Sequence, residues 1–348
     1  MSQFQTRFSD GLIVAESIKG DDPDSLWRGS FDFGLVGTSW DARCTAVLGC
    51  NSIQFKSSVL IKPLTTTSSK VLEQNHSKVH DFLSSVSGLC NVLEADTERL
   101  SDVYERIRSL FWAAIGEQER TSPASIFIDV STCPRYFSLA LLGEAFRSGQ
   151  VAQICLGYSE GKYPDAKPSY NDLEEISFSD GAFQSIPVPG YFGEFEPSKG
   201  KLFLVSLGFD GWKTLNLLIR KEPERVVALL ASPGGYAGYV ERAMLANSAL
   251  IERFRLSDEF ILKATSGDAV EAWQRMTEAG VENFDDENVY YLCSGNKPHS
   301  IAFALRAISL ETPTLLYNSP VKYLPVEIDC SGTYWMYSIR PAAGTVFG

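Results

Sequence analysis

The sequence predicts an α/β protein made of two tandem Rossmann-like domains with mostly parallel sheets. The first observation is a repeated order of elements: an apolar run, a polar loop that contains proline, a helix-like stretch and a second apolar run. The loop covers 131–135 in the first half and 294–299 in the second half. The second observation is that strand-like and helix-like runs alternate, which is typical of parallel sheets. The third is that the strand-like runs are apolar at consecutive positions, as expected for strands covered on both faces.

The first half, residues 1–165, contains the elements of one such domain after an irregular lead-in over 1–30 with one strand at 12–15. Residues 97–117 place apolar side chains at helical spacing and are predicted to form a long amphipathic helix. The other predicted elements are a strand at 31–37, a strand at 58–61, a helix near 70–86, a strand at 125–130, the helix after the loop 131–135 and a strand that ends at Ser159.

The second domain is predicted to cover 201–348, after a connection over 166–200. The connection is rich in proline and glycine, which interrupt regular structure, and is expected to hold a β-hairpin packed on the body. The elements of the second domain are predicted as a strand at 202–207, a helix at 212–221, a strand at 225–231, helices within 236–280, a strand at 288–292, a helix at 298–309, a strand at 313–317 and a last strand at 333–339.

A repeat of this length is a whole domain. Two like domains in one chain are expected to face each other about a pseudo-twofold axis, as the subunits of a dimer do. Ligand sites are frequent at domain junctions, and open α/β sheets bind ligands beyond the carboxyl ends of their strands. The sequence therefore predicts a binding cleft between the two halves, lined by the polar loops that follow the strands.

Composition excludes several classes of function. The chain has 348 residues and a net charge of −12, which is the wrong sign for extended nucleic-acid binding. It contains no run of about 18 apolar residues, and its first residues lack the apolar segment of a signal peptide. Seven cysteines without CxxC spacing argue against disulfides or a zinc site and favour a reducing compartment. A cytoplasmic protein without membrane contact is expected.

The loop 294–299 is the main candidate for chemistry. Gly295 allows the backbone to approach a ligand closely, and the first N–H groups of the following helix can bind a phosphate. Lys297 would add a positive charge and His299 a hydrogen-bond donor. Alternatively, Ser294 or Asn296 caps the helix and the proline fills its first turn. The loop matches neither a Walker A motif nor GxGxxG.

The first-half loop offers Ser131 and Arg135. An arginine at the start of a helix is unfavourable for the helix dipole, so an anionic neighbour is expected, either an aspartate or a ligand phosphate. Arg135 therefore either pairs with an aspartate or contacts a ligand phosphate.

The loops after the first strand of each half also carry candidates. Arg43 follows Asp41, and Lys213 follows Asp210. Each cation either contacts a phosphate or forms a local ion pair with its acid. Trp40 and Trp212 lie in the same loops, where they either stack on a base or fasten the helix to the sheet.

No complete catalytic set or metal site is predicted. His76 and His80 lie four residues apart on a helix, but no third ligand accompanies them, so a solvated polar face is expected rather than a metal site. A Ser-His-Asp set and a Gly-x-Ser-x-Gly motif are not readable in the sequence. The sequence predicts no metal and no cofactor.

The loop 294–299, followed by a helix rich in small apolar residues, resembles the Thr/Ser-Gly-Gly-Thr-Lys-Pro-Met pattern of CARF-type (CRISPR-associated Rossmann-fold) nucleotide-sensing domains. The segment 37–39, Gly-Thr-Ser, is similar to the loop after the first strand in that family. The resemblance implies binding of a cyclic oligonucleotide between two such domains and a role in prokaryotic antiviral defence. Asn296 and His299 depart from the family's threonine and methionine, and the loop 131–135 lacks the glycine.

The resulting hypothesis is a sensor or regulatory subunit that binds a nucleotide or cyclic oligonucleotide and acts through a separate effector protein. Lys297, His299 and Arg135 would contact phosphates, while Thr38, Ser39 and Asn296 would fix the base or ribose. One alternative is an enzyme acting on a nucleotide or phosphosugar, in which Lys297 stabilises charge and His299 is the acid or base. The other is an interaction subunit without a ligand.

Overall fold

The computed structural model describes residues 1–8, 11–64, 69–96, 98–116, 122–163, 179–323, 328–342 and 346–347. The chain forms two compact units, Met1–Tyr163 with Pro325–Gly348 and Pro164–Leu324. Both units are α/β, and the predicted fold class of two Rossmann-like domains with mostly parallel sheets is confirmed. The expected pseudo-twofold arrangement stays a prediction.

The strands, in chain order, are β1 Ser2–Phe8, β2 Gly11–Gly20, β3 Gly29–Gly37, β4 Ile53–Pro63, β5 Ser87–Ala95, β6 Ala124–Asp129, β7 Val151–Lys162, β8 Ser179–Pro187, β9 Gly200–Ser206, β10 Arg225–Ala231, β11 Ile261–Ala264, β12 Glu287–Cys293, β13 Thr314–Tyr323 and β14 Asp329–Pro341. The α-helices are α1 Pro23–Leu26, α2 Lys70–Val86, α3 Leu100–Ile115, α4 Arg135–Arg147, α5 Gly211–Lys221, α6 Tyr239–Ala246, α7 Ser248–Arg253, α8 Ala269–Ala279 and α9 Lys297–Leu310. Short 3₁₀ helices cover Ala42–Gly49 and Asp258–Phe260.

The two units share one order of parallel strands. In the first unit the order across the sheet is β5-β4-β3-β6-β7, and in the second it is β11-β10-β9-β12-β13. Numbered along the chain among the five parallel strands of each unit, the order is third, second, first, fourth and fifth, and all neighbouring pairs are parallel. This is the Rossmann order, in which the direction of strand addition reverses between the first and fourth strands.

Antiparallel strands extend both sheets beyond the fifth strand. β8 pairs with β13 in the second unit, and β14 pairs with β7 in the first. The sequence predicts an inter-domain connection over 166–200. Its described residues, 179–200, belong to the second unit, while 164–178 lie outside the described residues. β14 is continued by β2 and β1, which complete an eight-stranded sheet.

The predicted assignment of the last strand to the second domain is wrong. The sequence assigns 333–339 to the second domain, but β14 lies between β2 and β7 of the first sheet and is antiparallel to both. Its side chains Trp335, Tyr337 and Ile339 are buried there. The apolar pattern of the segment specifies a strand, but the sheet that the strand joins depends on which open edge can pair with it.

The strand predicted at 12–15 lies within β2, but the rest of the lead-in is not irregular, because 1–30 also contain β1 and the short helix α1. Trp27, which follows α1, is fully buried and donates its indole N–H to the carbonyl oxygen of Trp335, 3.0 Å away. The lead-in and the C-terminal strand are thus fixed to each other in the core of the first unit, a pairing across 308 residues that local sequence patterns do not report.

Helices cover the parallel strands as the alternating pattern predicts. In the first unit α3 packs on α4, and in the second α8 packs on α9. α4 and α9 are buried around most of their circumference, which agrees with their apolar sequences. The helices α5, α6 and α7 share a core with β9 and β10 in the second unit.

Candidate functional site

The polar loops singled out in the sequence lie where the strand order reverses. In the first unit β3 and β6 are neighbours, and the loops 38–41 and 130–134 follow them. In the second unit β9 and β12 are neighbours, and the loops 207–210 and 294–296 follow them. Because parallel strands end at the same edge, each unit brings its two loops together at the position where open α/β sheets bind ligands.

The two loops of the first unit are in direct contact. The hydroxyl group of Thr132 donates a 2.7 Å hydrogen bond to the carbonyl oxygen of Gly37. A Cβ atom on Gly37 would lie 2.5 Å from the Cα atom of Cys133 and 2.6 Å from its nitrogen. Only glycine therefore allows this close approach of the two loops.

The second unit has a similar clamp between its loops. The hydroxyl group of Ser294 donates to the carbonyl oxygen of Ser206 at 2.6 Å, and the N–H of Gly295 donates to the hydroxyl oxygen of Ser206 at 2.6 Å. A Cβ atom on Gly295 would lie 2.8 Å from that of Ser206. In both units, a hydroxyl group after the fourth strand is bonded to a carbonyl at the end of the first strand.

Arg43 forms a buried ion pair with Asp41. The guanidinium donates from Nε and Nη2 to the carboxylate at 2.5–3.0 Å, and both side chains are more than 90% buried. Burial acts to lower the pKa of Arg43, but the charge of Asp41 and its hydrogen bonds to the guanidinium act against burial, and the pKa lies well above its ordinary value. The ion-pair alternative is confirmed, and this burial contradicts the expected contact of Arg43 with a ligand.

Lys213 repeats the arrangement in the second unit. Its Nζ atom lies 3.6 Å from a carboxylate oxygen of Asp210, and its side chain is 2% exposed. The neighbouring Trp212 is 45% exposed, and the Lys213 ammonium lies 5.5 Å from the centre of its ring. Lys213 is therefore also an ion-pair cation rather than an open phosphate contact, while the aromatic ring beside it is available at the surface.

Asn296 is the N-terminal cap of α9. Its Oδ1 atom accepts a hydrogen bond from the N–H of His299 at 2.9 Å, and its Nδ2 atom donates to the carbonyl oxygen of Ser266 at 2.7 Å. The capping alternative for this residue is confirmed. The second bond ties the loop after β12 to the loop after β11, so Asn296 also holds two loops of the site edge together.

Thr38, Ser39 and Ser131 hold the loop ends of the first unit. Thr38 donates from its N–H and its hydroxyl group to the carbonyl oxygen of Ile61, and the hydroxyl oxygen of Ser131 accepts the N–H of Ser159 at 2.8 Å. Thr38 and Ser131 are buried, which contradicts their expected contact with a ligand. Ser39 is half-buried, and its hydroxyl oxygen accepts the N–H of Asp41.

The buried position of His299 contradicts both roles expected for it. The residue is fully buried in the first turn of α9, and within the described part of the chain neither ring nitrogen has a hydrogen-bond partner. Burial lowers the pKa of His299 to about 3, because an imidazolium without water or a counter-charge is unfavourable. At neutral pH the ring is uncharged and enclosed, so it is not placed to bind a phosphate or to transfer a proton to a substrate.

The low pKa of His299 makes stability depend on pH. Because the pKa is lower in the folded state than its ordinary value of 6.5, the unfolded chain binds the proton first, and stability falls as the pH drops below that value. Between about pH 7.5 and about pH 5 we expect this residue to reduce the free energy of unfolding by about 2 kcal/mol. In His299→Leu this part of the pH dependence is lost, as urea unfolding at the two pH values would measure.

His80→Leu, on the surface of α2, controls for the removal of a histidine. Burial and the charge of Lys62 also lower the pKa of His76. Because His76 is present in both variants, its contribution to the pH dependence cancels in the comparison. An unchanged acid dependence in His299→Leu would contradict the buried neutral imidazole.

Arg135 and Lys297 begin the two helices of the site edge. Arg135 is the first residue of α4 and Lys297 the first residue of α9, and both are half-buried. The two units therefore place one cation each at corresponding positions, directly after the loops of the fourth strand. Of the predicted phosphate contacts, these two remain accessible.

Sequence reasoning did not identify Thr132, Ser206 and Ser266 as parts of the site. The hydroxyl groups of Thr132 and Ser206 bond backbone groups of a neighbouring loop, and the carbonyl oxygen of Ser266 accepts the side-chain amide of Asn296. A serine or threonine at a strand end gives no distinctive pattern. For Thr132 and Ser206, the signal that could have found them is their position at the ends of predicted strands, whereas Ser266 follows β11, which was not predicted.

Among the residues that the structure describes, no group of three or more His, Cys, Asp or Glu side chains could hold a metal ion. Within the same ranges, no helix has both the length and the apolar composition needed to cross a bilayer.

No model of a known protein family matches the chain, and no curated protein matches it. Among solved structures, the chain is similar to a crystal structure of a functionally unknown protein from Pseudomonas aeruginosa PAO1. The identity is 11%, and the match covers 84% of this chain and 93% of that chain. The TM-score is 0.23, which carries no argument about fold or function.

Proposed function

We propose that this chain binds a nucleotide or cyclic oligonucleotide at the carboxyl-end loops of its parallel sheets and acts as a sensor or regulatory subunit in prokaryotic antiviral defence. The observation that carries the binding proposal is the Rossmann strand order in both units, with the predicted loops at each point of reversal. The antiviral role rests on the resemblance of the loops 37–39 and 294–299 to CARF-type domains. A separate effector protein would supply the output.

The chemistry of the loop edge supports an anionic, aromatic ligand. Arg135 and Lys297 supply one cation each at the first turn of a helix whose N–H groups favour negative charge. Trp212 presents a partly exposed ring at the start of α5, and a nucleobase stacks well on such a surface. The buried pairs Asp41–Arg43 and Asp210–Lys213 fix the remaining loops without contributing an open charge.

We expect Arg135→Ala and Lys297→Ala each to weaken the binding of a nucleotide by about tenfold or more, because each removes a charge-assisted contact to phosphate. Isothermal titration with mono-, di- and cyclic nucleotides is the measurement. Arg147→Ala and Lys221→Ala are controls, since these exposed cations are the last residues of α4 and α5, at the ends of the helices that point away from the loops.

Absence of binding by the whole panel, or unchanged affinity in both Arg135→Ala and Lys297→Ala, would refute the proposal. Recovery of the bound nucleotide intact favours a sensor, whereas its conversion favours an enzyme. His299→Leu should bind as the wild type does, because its ring is enclosed in the core.

An interaction subunit without a ligand is the second candidate. It is favoured by the caps and ion pairs in these loops, since Asn296, Asp41 and Asp210 all have partners within their own unit. The same titrations decide between the two candidates.

A further inference from the structure

The segment 188–200 of the second unit exposes two phenylalanines. Phe192 is 64% and Phe195 is 60% exposed, whereas Val188 and Tyr191 of the same segment are buried. Large aromatic side chains dominate the energetics of protein interfaces. Two of them exposed within four residues therefore require an explanation.

The backbone around Phe192 is fixed to β13. The N–H of Val188 donates to the carbonyl oxygen of Leu315, and the N–H of Leu315 donates to the carbonyl oxygen of Tyr191. On the other side of Phe192, the N–H of Gly193 donates to the hydroxyl group of Thr314 at 3.0 Å. A Cβ atom on Gly193 would overlap the carbonyl oxygen of Thr312, so the segment lies directly on the body of the unit.

The backbone after Phe195 is fixed to β12. The N–H of Glu196 donates to Oδ1 of the buried Asn288 at 2.8 Å, and Nδ2 of Asn288 donates to the carbonyl oxygens of Glu196 and Lys199. Each phenylalanine thus lies between residues whose main chain is hydrogen-bonded to the sheet. Both rings are held outward by an ordered backbone, which lowers the entropy that a partner would have to remove on binding.

Exposed carboxylates lie on the segment 188–200 and on the two segments that adjoin it. Glu194 lies between the two phenylalanines in the chain, and Asp285, Asp286 and Glu311 are exposed on the adjoining segments. The N–H of Gly200 donates to the carbonyl oxygen of Asp286, and Thr312, which follows Glu311, lies against Gly193. Lys199 is paired with Glu196 at 3.0 Å. The surface next to the two phenylalanines, called the rim below, is therefore acidic.

We propose that Phe192 and Phe195 form a docking surface, the aromatic patch, for a protein partner that has two apolar pockets rimmed by lysine or arginine. Charge complementarity selects this occupant, and a second copy of the chain is disfavoured because it would bring the acidic rims together. The patch lies at the starts of β12 and β13, the opposite edge of the sheet from the nucleotide loops. It does not depend on the proposed nucleotide binding.

A selection from a library of random peptides on the immobilised chain tests the patch. We expect enriched peptides to combine two apolar residues with lysine or arginine and to lose affinity as salt is raised. The double variant Phe192→Ser/Phe195→Ser should weaken these peptides by about tenfold or more. Glu194→Lys/Glu311→Lys should weaken them while both rings remain.

The matched control is Ile219→Ser/Leu245→Ser, which removes two exposed apolar side chains elsewhere in the second unit and should leave peptide affinity unchanged. Equal thermal melting of all variants confirms folding. The proposal is overturned if no peptide is enriched, if the enriched peptides lack basic residues, or if the phenylalanine variant binds them as the wild type does.

Discussion

Asp41→Ala is expected to lower the free energy of unfolding of the first unit by about 4 kcal/mol, because it leaves the Arg43 guanidinium buried without its carboxylate. Both residues are 6% exposed, so water cannot replace the lost partner. The carboxylate also accepts the N–H of Arg43 at 3.0 Å and caps the 3₁₀ helix Ala42–Gly49. Urea unfolding followed by tryptophan fluorescence, to which the buried Trp27 of the first unit contributes, is the measurement.

The double variant Asp41→Ala/Arg43→Met separates charge from packing. It removes both charges and retains an apolar side chain of similar length, so it should recover more than half of the loss. A loss below about 1 kcal/mol in Asp41→Ala would show instead that the pair behaves like a solvated surface pair.

Gly211→Ala is expected to lower the free energy of unfolding of the second unit by about 3 kcal/mol, because the added methyl group meets backbone atoms that cannot move away. The new Cβ atom would overlap the carbonyl oxygen of Ala246, at the end of α6, and would lie 2.8 Å from Oδ1 of Asn247. The Asn247 side chain donates to the carbonyl oxygens of Gly208 and Ala243, so relief of the overlap disturbs a second contact.

The measurement for Gly211→Ala is the melting temperature of the second unit, with an expected decrease of roughly 10 °C. Gly200→Ala is the matched control, because a Cβ atom there meets Glu224 at 3.7 Å, an ordinary contact. That control should change stability by less than about 1 kcal/mol. Wild-type stability in Gly211→Ala would contradict the close approach of α5 to the end of α6.

Local sequence patterns predicted most of the parallel strands, but they missed β5 and also β11, which lies in the stretch 236–280 predicted to be helical. The spans of α2, α5, β10 and β12 lie within one or two residues of the predicted ones, because a covered strand and an amphipathic helix each have a distinct apolar pattern. β14 was assigned to the wrong domain, and only 12–15 of β2 were predicted, for one common reason. Each is held by pairing with strands far away along the chain, and a local pattern does not name the partner of a strand.

In the site, the sequence located the loops but not the orientation of each side chain. Arg43 and Lys213 stand beside acids, and the structure folds them inward against those acids. His299 occupies the third position of α9, and only packing around the helix decides that this position is enclosed. Arg135 and Lys297, at the first positions of their helices, remain partly exposed, whereas the residues that follow them in the same turn are buried.

The sequence by itself determined that this chain carries two α/β halves and that polar loops follow the first and fourth strands of each. These features depend on neighbours along the chain, so composition and periodicity encode them. Only the tertiary structure decided that both halves adopt the same Rossmann order, that β14 joins the first sheet, and which side chains at the loops are enclosed. Strand pairing and burial depend on contacts between residues that are far apart along the chain, so the pattern of a single segment does not predict them.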